Sequence, residues 1–199
     1  MAITADAVKA LREKTGAGMM DCKKALKETD GDLEKAVDYL RKKGIADAAK
    51  RAHRTAAQGR IEAYIHPGNQ IGVLLEVNVE TDFVAKTDDF KQFCHDVAMQ
   101  IAATRPLAVT PEDLDAAVVA KEREILLEQV KNSGKPEKIW EKIVEGKMRK
   151  FYEETCLLNQ PWIRDNNVKI DEMRKELSGK IGENVVVRRF AVFQVGQEN

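Results

Sequence analysis

The sequence has few of the residues that nucleophilic enzymes use. Its 199 residues include two serines, Ser133 and Ser178, and neither lies in a G-x-S-x-G turn. The three histidines are scattered, and the adjacent Cys94 and His95 would point in different directions on a helix. No clusters have zinc-ligand spacing, and no phosphate-binding loop of the form G-x-x-x-x-G-K-S/T is present. These absences predict a protein that is not an enzyme and holds no metal, cofactor or nucleotide of its own.

Cysteine usage and charge indicate the compartment and the class of partner. The three cysteines form no C-x-x-C pair, which fits a reducing cytoplasm. The 33 basic and 33 acidic residues cancel, whereas nucleic-acid binders usually carry a clear basic excess. The first residues do not resemble a signal peptide, and no apolar run approaches the ~18 residues of a membrane span. We therefore expect a cytoplasmic protein that contacts neither nucleic acid nor membrane directly, and that binds a protein or a small ligand.

Residues 1–44 have the pattern of three short helices. Thr4 can cap the first helix, which Gly16 would end, and Asp32 precedes a third helix, which Gly44 would end. Apolar residues recur at helical spacing in the third segment, at Leu33, Ala36, Val37 and Leu40. The sequence therefore predicts a small N-terminal helical module.

Residues 41–60 are rich in alanine and basic side chains. Seven Lys and Arg residues stand there against one acidic residue, Asp47. One interpretation is a solvated helical linker over residues 45–59. The alternative is a phosphate-contacting patch of a ribosome- or RNA-associated adapter. The patch lacks the interleaved aromatic residues of a base-reading surface, so the linker is favoured.

Residues 60–199 combine strands with helices. Apolar and polar residues alternate in 61–65 and 71–79 on either side of a Pro-Gly turn, which predicts a β-hairpin. A helix capped by Thr87 would follow, and a final strand would span about 184–195. The helix would present one apolar face, formed by Phe90, Phe93, Val97 and Ile101.

Two long charged segments predict an antiparallel helical hairpin at about 112–155. Thr110 and Pro111, followed by two acids, form a helix start, and the first helix would run to about Asn132. A break at 133–136 separates it from the second helix. The expected fold class is α+β, with an N-terminal helical module, a linker and an antiparallel-sheet core with flanking helices.

Four segments resemble the bacterial-type elongation factor Ts family. They are LREKTGAGMMDCKKAL at 11–26, ETDFVAK at 80–86, EGKM at 145–148 and NQPW at 159–162. The first two are long and specific, and all four occur in the order that the family has. The resemblance covers nearly the whole chain, in a short form with one core copy where longer members carry two.

The resemblance implies a ubiquitin-associated-like three-helix module, a linker and a core with a coiled-coil hairpin. It implies a guanine nucleotide exchange factor that binds elongation factor Tu and promotes the exchange of GDP for GTP. The segment Thr81, Asp82, Phe83 and Val84 would press against the GTPase near its magnesium site. The N-terminal module would touch the nucleotide-binding domain near the guanine side, through Arg12, Met19 and Met20.

Pattern alone gives these residues plainer roles. Phe83 would be an apolar plug between the strand and the next helix, Asp82 a turn former and Arg12 a solvated charge. Adjacent Met19 and Met20 cannot both face one core, so at least one is expected on a contact surface. For Phe83 the resemblance favours a partner contact over the plug.

The final strand is apolar on both faces, which predicts a homodimer. Half-exposed antiparallel strands usually alternate more cleanly. The two faces carry Val185, Val187, Ala191 and Phe193 on one side, and Val186, Phe190 and Val192 on the other. An identical chain could cover the second face by a two-fold sheet-on-sheet contact. The alternative is a monomer in which the helical hairpin covers that face.

Overall fold

A computed structural model describes residues 3–197, which form an α+β fold of eight α-helices and five strands. The helices are α1 (Ala5–Thr15), α2 (Met19–Glu28), α3 (Leu33–Arg51), α4 (Asp82–Ala85), α5 (Asp88–Thr104), α6 (Ala116–Lys131), α7 (Trp140–Thr155) and α8 (Ile170–Ile181). The strands are β1 (Gln58–Ile65), β2 (Ile71–Val79), β3 (Pro161–Trp162), β4 (Asp165–Lys169) and β5 (Val186–Gln194). No helix within this described range has the length and apolar character needed to cross a membrane.

The first three helices pack around one small core. Thr4 caps α1 by accepting from the amide of Ala7, and Asp32 caps α3 by accepting from two amides of its first turn. Gly16 ends α1 in the left-handed conformation at φ 66°, as expected for a C-terminal glycine. The fully or nearly buried members of the core are Val8, Leu11, Cys22, Ala25, Leu26 and Ala36.

The expectation that Gly44 ends the third helix is wrong. Helix α3 continues through Gly44 to Arg51, so the first half of the segment expected as a linker is helical. A glycine inside a helix costs only about 1 kcal/mol relative to alanine, and the residues after Gly44 are mostly good helix formers. The domain boundaries at 44 and 59 stay a prediction.

The main sheet has the strand order β1-β2-β5. The amide of His66 donates to Ile71 O at 2.9 Å, and the amide of Val195 donates to Gln70 O at 3.0 Å, which sets the register of both antiparallel pairs. The predicted hairpin and final strand are confirmed. One face of β2 is buried, through Val73, Leu75, Val77 and Val79. The predicted apolar face of α5 is also buried.

Helices α6 and α7 form the predicted helical hairpin, with Leu126, Val130, Val144 and Met148 as its buried core. Its start differs from the prediction. The Thr110 amide donates to the Asp113 carboxylate at 3.0 Å, but this box closes only a 3-10 turn at Pro111–Asp113. The backbone then extends, and α6 begins at Ala116 with Asp115 as its cap. The cap of the long helix is therefore Asp115, five residues further along the chain than Thr110.

Two compact units are distinguished within the fold. The first contains the chain up to Arg60, Val77–Phe93 and Glu172–Val186. The second contains Ile61–Glu76, Cys94–Asp171 and the chain from Val187 onward. The segment 80–86 and the N-terminal helices belong to the first unit, and the helical hairpin belongs to the second.

Candidate partner-binding site

The segment Thr81 to Val84 forms a one-turn helix that projects a phenylalanine into solvent. Thr81 is the cap of α4, and its hydroxyl oxygen accepts from the Val84 amide at 3.4 Å. Val84 and Ala85 are buried, whereas 77% of Phe83 is exposed. The interpretation of Phe83 as an apolar plug is therefore wrong. An aromatic ring with this exposure on a capped turn is available for contact with another molecule.

The turn is attached to the loop between α8 and β5. The Glu183 carboxylate accepts from the amides of Glu80 and Thr81 at 3.1 and 3.0 Å, and from the Thr81 hydroxyl at 2.6 Å. In return, the Glu80 carboxylate accepts from the Asn184 amide at 2.7 Å. The end of β2 is thus tied to residues 183 and 184 by four hydrogen bonds.

A carboxylate lies next to the exposed ring. Lys86 Nζ donates to Asp82 Oδ2 at 2.7 Å, and both side chains are exposed. This hydrogen bond, supported by the lysine charge, lowers the pKa of Asp82 below its usual range. Asp82 is therefore ionised at neutral pH, and its charge at the first turn of α4 also suits the helix dipole.

The N-terminal module exposes a second set of apolar side chains. Met19 and Met20 begin α2 and are 54% and 75% exposed. Gly18 precedes them without a side-chain cap. Arg12 is exposed on α1. Both methionines, rather than one, are therefore outside the module core, and methionine suits an adaptable contact surface.

The basic segment is largely engaged within the chain. Arg41 pairs with Glu172 at 3.3 Å and with Glu176, and Lys43 pairs with Asp21. The hydrogen bond to Asp21 raises the pKa of Lys43 above its usual range. Further along, an Arg51 guanidinium nitrogen donates to the Ser178 carbonyl at 3.3 Å, and Arg54 lies 3.5 Å from Glu80. These contacts disfavour the RNA-adapter interpretation, because paired cations release few counterions from a phosphate backbone.

One face of the main sheet carries an exposed apolar surface. The register places Ile65 beside Gly72 and Phe193 on the other side of Gly72, so these side chains share one face with Leu74. The exposed large members of this apolar sheet face are Ile61, Ile65, Leu74, Phe193 and Val195. An Arg189–Glu76 pair at 2.7 Å lies toward one end.

The exposure of the final strand changes along its length. Val185 and Val187 are buried, but Ala191 and Phe193, assigned to the same side, are exposed. The sequence indicated that β5 is apolar on both sides, but it could not indicate which neighbours in β1 and β2 extend the exposed side. That information lies in the pairing register, which the sequence pattern of one strand does not contain.

Metal-binding side chains are not brought together. Within residues 3–197, no group of three or more His, Cys, Asp or Glu side chains is placed to hold a metal ion. The cysteines Cys22, Cys94 and Cys156 are buried, and none of the three forms a disulfide.

Comparison with known proteins gives one consistent family. The family model described as Elongation factor TS matches residues 22–197. A relative named Elongation factor Ts from Moorella thermoacetica is 58% identical over 195 residues, which is 98% of this chain and 96% of the relative. Another with the same name, from Syntrophobacter fumaroxidans, is 59% identical over 98% of both chains. The chain is thus similar to these proteins over nearly their full length.

Proposed function

The chain belongs to the elongation factor Ts family, and from this we propose that it is a guanine nucleotide exchange factor for elongation factor Tu. It binds the GDP complex in the cytoplasm during translation elongation and promotes exchange of GDP for GTP. It is not an enzyme in the usual sense, because it changes no covalent bond.

The observation that carries this proposal is the exposure of Phe83 on a hydrogen-bonded turn. GDP is held largely through its phosphates, and Mg²⁺ is a major local charge at such sites. Inserting one phenyl ring into a pocket of the GTPase contributes roughly 1.5–3 kcal/mol of burial. This free energy can displace the elements that support the magnesium ion and thereby weaken GDP binding. Thr81, Asp82 and Val84 shape the turn that presents the ring.

Coupling between the factor and the nucleotide is reciprocal. If the factor lowers the affinity for GDP, then GDP lowers the affinity for the factor by the same free energy. Nucleotide binding to the GTPase therefore helps to release the factor, and GTP can complete the exchange. The factor needs no nucleotide site of its own for this cycle.

A second contact comes from the N-terminal module, which we assign to a ubiquitin-associated-like fold over residues 1–44. Met19, Met20 and Arg12 would touch the nucleotide-binding domain near the guanine side. Two exposed methionines and an exposed cation on one module suit a surface that carries both apolar patches and acidic groups. Contacts at two points on the nucleotide site give the factor more binding free energy for disturbing that site than a single contact does. The helical hairpin is assigned to a coiled coil.

The apolar sheet face supports the proposal that the chain forms a homodimer. Two copies of this face can stack about a two-fold axis, since each carries exposed apolar side chains on β1, on β2 and at the end of β5. The pair Arg189–Glu76 then contributes its charges at the rim, where they remain solvated. Burial of five large apolar side chains from each copy drives the association.

The experiment that tests the proposed function measures GDP release. Elongation factor Tu carrying a fluorescent GDP analogue is mixed with excess unlabelled GDP, with and without this protein, in a stopped-flow instrument. We expect the release rate to rise with the concentration of the protein and to reach a plateau. An unchanged release rate across that titration would refute the proposal.

A further inference from the structure

Glu183 is joined to the turn that carries Phe83 by three hydrogen bonds, although it is 102 residues away from Thr81 in the chain. Its Oε2 accepts from two successive backbone amides, of Glu80 and Thr81, and its Oε1 accepts from the Thr81 hydroxyl. All three groups are donors, which is the arrangement that an ionised carboxylate satisfies best. Glu183 is half-buried, so these bonds are partly shielded from water.

The Glu183 loop is itself anchored. Asn184, which is 2% exposed, donates through Nδ2 to the carbonyls of Ala52 and Arg54 at 3.3 and 2.9 Å. Its amide donates to the Glu80 carboxylate, so two successive loop residues both bind the end of β2. The carboxylate that holds the turn is therefore fixed by residues just beyond the end of α3.

Thr81 connects this anchor to the helical turn. Its hydroxyl donates to Glu183, and its oxygen accepts from the Val84 amide. The Glu183 carboxylate thus sets the hydroxyl orientation that leaves a lone pair for the amide of the first turn. Phe83 is mostly exposed and has little packing of its own, so the direction of its ring depends on this backbone turn.

We infer that Glu183 is a positioning residue for nucleotide exchange: its carboxylate holds the Thr81 turn in the geometry that projects Phe83 before the partner binds. The inference rests on the proposed function. Its benefit is pre-organisation, since a turn that is already ordered loses less conformational entropy on association. Glu183 acts through Thr81 and the turn.

The test compares Glu183→Ala with Glu183→Gln in the full chain. Glutamine can accept both amides through its oxygen and donate to the Thr81 hydroxyl oxygen, so it preserves the geometry without the charge. Alanine removes all three bonds. The three hydrogen bonds to the Glu183 carboxylate form a clamp on the turn. Amide hydrogen exchange in the isolated chain measures this clamp directly, because the Glu80 and Thr81 amides are two of its donors. We expect their exchange rates to rise about tenfold or more in Glu183→Ala and less than about threefold in Glu183→Gln.

A kinetic measurement distinguishes a positioning role of Glu183 from a direct contact with the partner. GDP release is measured as a function of factor concentration. With Glu183→Ala, we expect the half-saturating concentration to rise about five- to tenfold while the rate at saturation stays within about twofold, because the partner restores the turn once bound. Glu183→Gln should lie close to the wild-type chain.

Each outcome is decisive. Unchanged exchange of the Glu80 and Thr81 amides in Glu183→Ala would refute the clamp, and faster amide exchange with unchanged half-saturation would refute its role in nucleotide exchange. If the wild-type chain does not accelerate GDP release, the proposed function fails while the amide measurement still decides the clamp. If Glu183→Ala does not fold, Glu183→Asp replaces it, because its carboxylate is one methylene too short to reach the three donors, and it should show the same defects.

Discussion

Gly44 on α3 and Gly179 on α8 are in direct backbone contact. A Cβ added to Gly179 would lie 2.6 Å from the Cα of Gly44 and 3.0 Å from its carbonyl carbon and oxygen. The converse is not true, because a Cβ added to Gly44 would lie 3.7 Å from the Cα of Gly179, an ordinary van der Waals distance. The helix crossing therefore requires glycine at 179 and accepts alanine at 44.

This asymmetry predicts opposite effects of two similar substitutions. Gly179→Ala forces the helices apart, and overpacking of about 1–3 kcal/mol outweighs the gain of about 1 kcal/mol in helix propensity. We expect a net loss of up to about 2 kcal/mol in the free energy of unfolding, measured by urea denaturation. Gly44→Ala should be neutral or stabilising by up to about 1 kcal/mol.

Gly146→Ala is the matched control for that pair. Gly146 lies within α7, and an added Cβ would meet nothing within 4 Å. We expect the control to stabilise the chain by about 0.5–1 kcal/mol. Equal effects of Gly179→Ala and Gly146→Ala would show that the tight helix crossing does not exist in solution.

The apolar sheet face predicts the oligomeric state and a way to change it. Phe193→Glu places a charge within the proposed two-fold contact, so the variant should have the mass of a single chain by light scattering at micromolar concentration. Leu107→Glu, at an exposed leucine outside this face, should remain dimeric. A wild-type mass near that of one chain, independent of concentration, would rule out the dimer.

The exposed methionines predict a loss of affinity without a loss of fold. Met20→Ala removes a mostly solvent-exposed side chain, so the free energy of unfolding should change by less than about 0.5 kcal/mol. Affinity for elongation factor Tu, measured by calorimetry, should fall about three- to tenfold. Deletion of residues 1–42 would be a blunter test, since it cuts α3 and removes the pair of Arg41 with Glu176. Full affinity of Met20→Ala would exclude this residue from the interface.

Cys156 should be a slow thiol. Burial raises its pKa above the usual range, and the side chain is fully inaccessible. A raised pKa means less thiolate at any given pH, and thiolate is the reactive form. At pH 8, labelling with a disulfide reagent should be at least about 100-fold slower in the native chain than in urea. Fast native labelling of Cys156, located by peptide mapping, would contradict the packing around it.

Much of the architecture was predictable because it follows from the regular spacing of apolar residues within single segments. The alternation that buries Val73 and Val77 and the helical spacing of Phe90 and Val97 each follow from one segment. The end of α3 was not predictable, because glycine is both a helix terminator and a tolerable helix residue. Only its tertiary neighbour at Gly179 distinguishes these roles.

The residues of the candidate site were also predictable from the sequence only in part. The exposure of at least one of Met19 and Met20 was foreseen, since adjacent residues on a helix face different directions. Phe83 depended on family resemblance, because its own pattern suggested a plug. No sequence pattern indicated a role for Glu183. Its partners are two backbone amides and a hydroxyl that only the folded chain brings to it.

The central claim is that Phe83 drives GDP release, and its most direct test is the release rate at saturating factor. Phe83→Ala should lower that rate at least about tenfold, which corresponds to ~1.4 kcal/mol, while circular dichroism and the unfolding midpoint stay unchanged. With Leu107→Ala, which shortens another exposed apolar side chain, GDP release from elongation factor Tu should proceed at the wild-type rate. A folded Phe83→Ala variant that accelerates GDP release from elongation factor Tu as much as the wild-type chain would contradict the account.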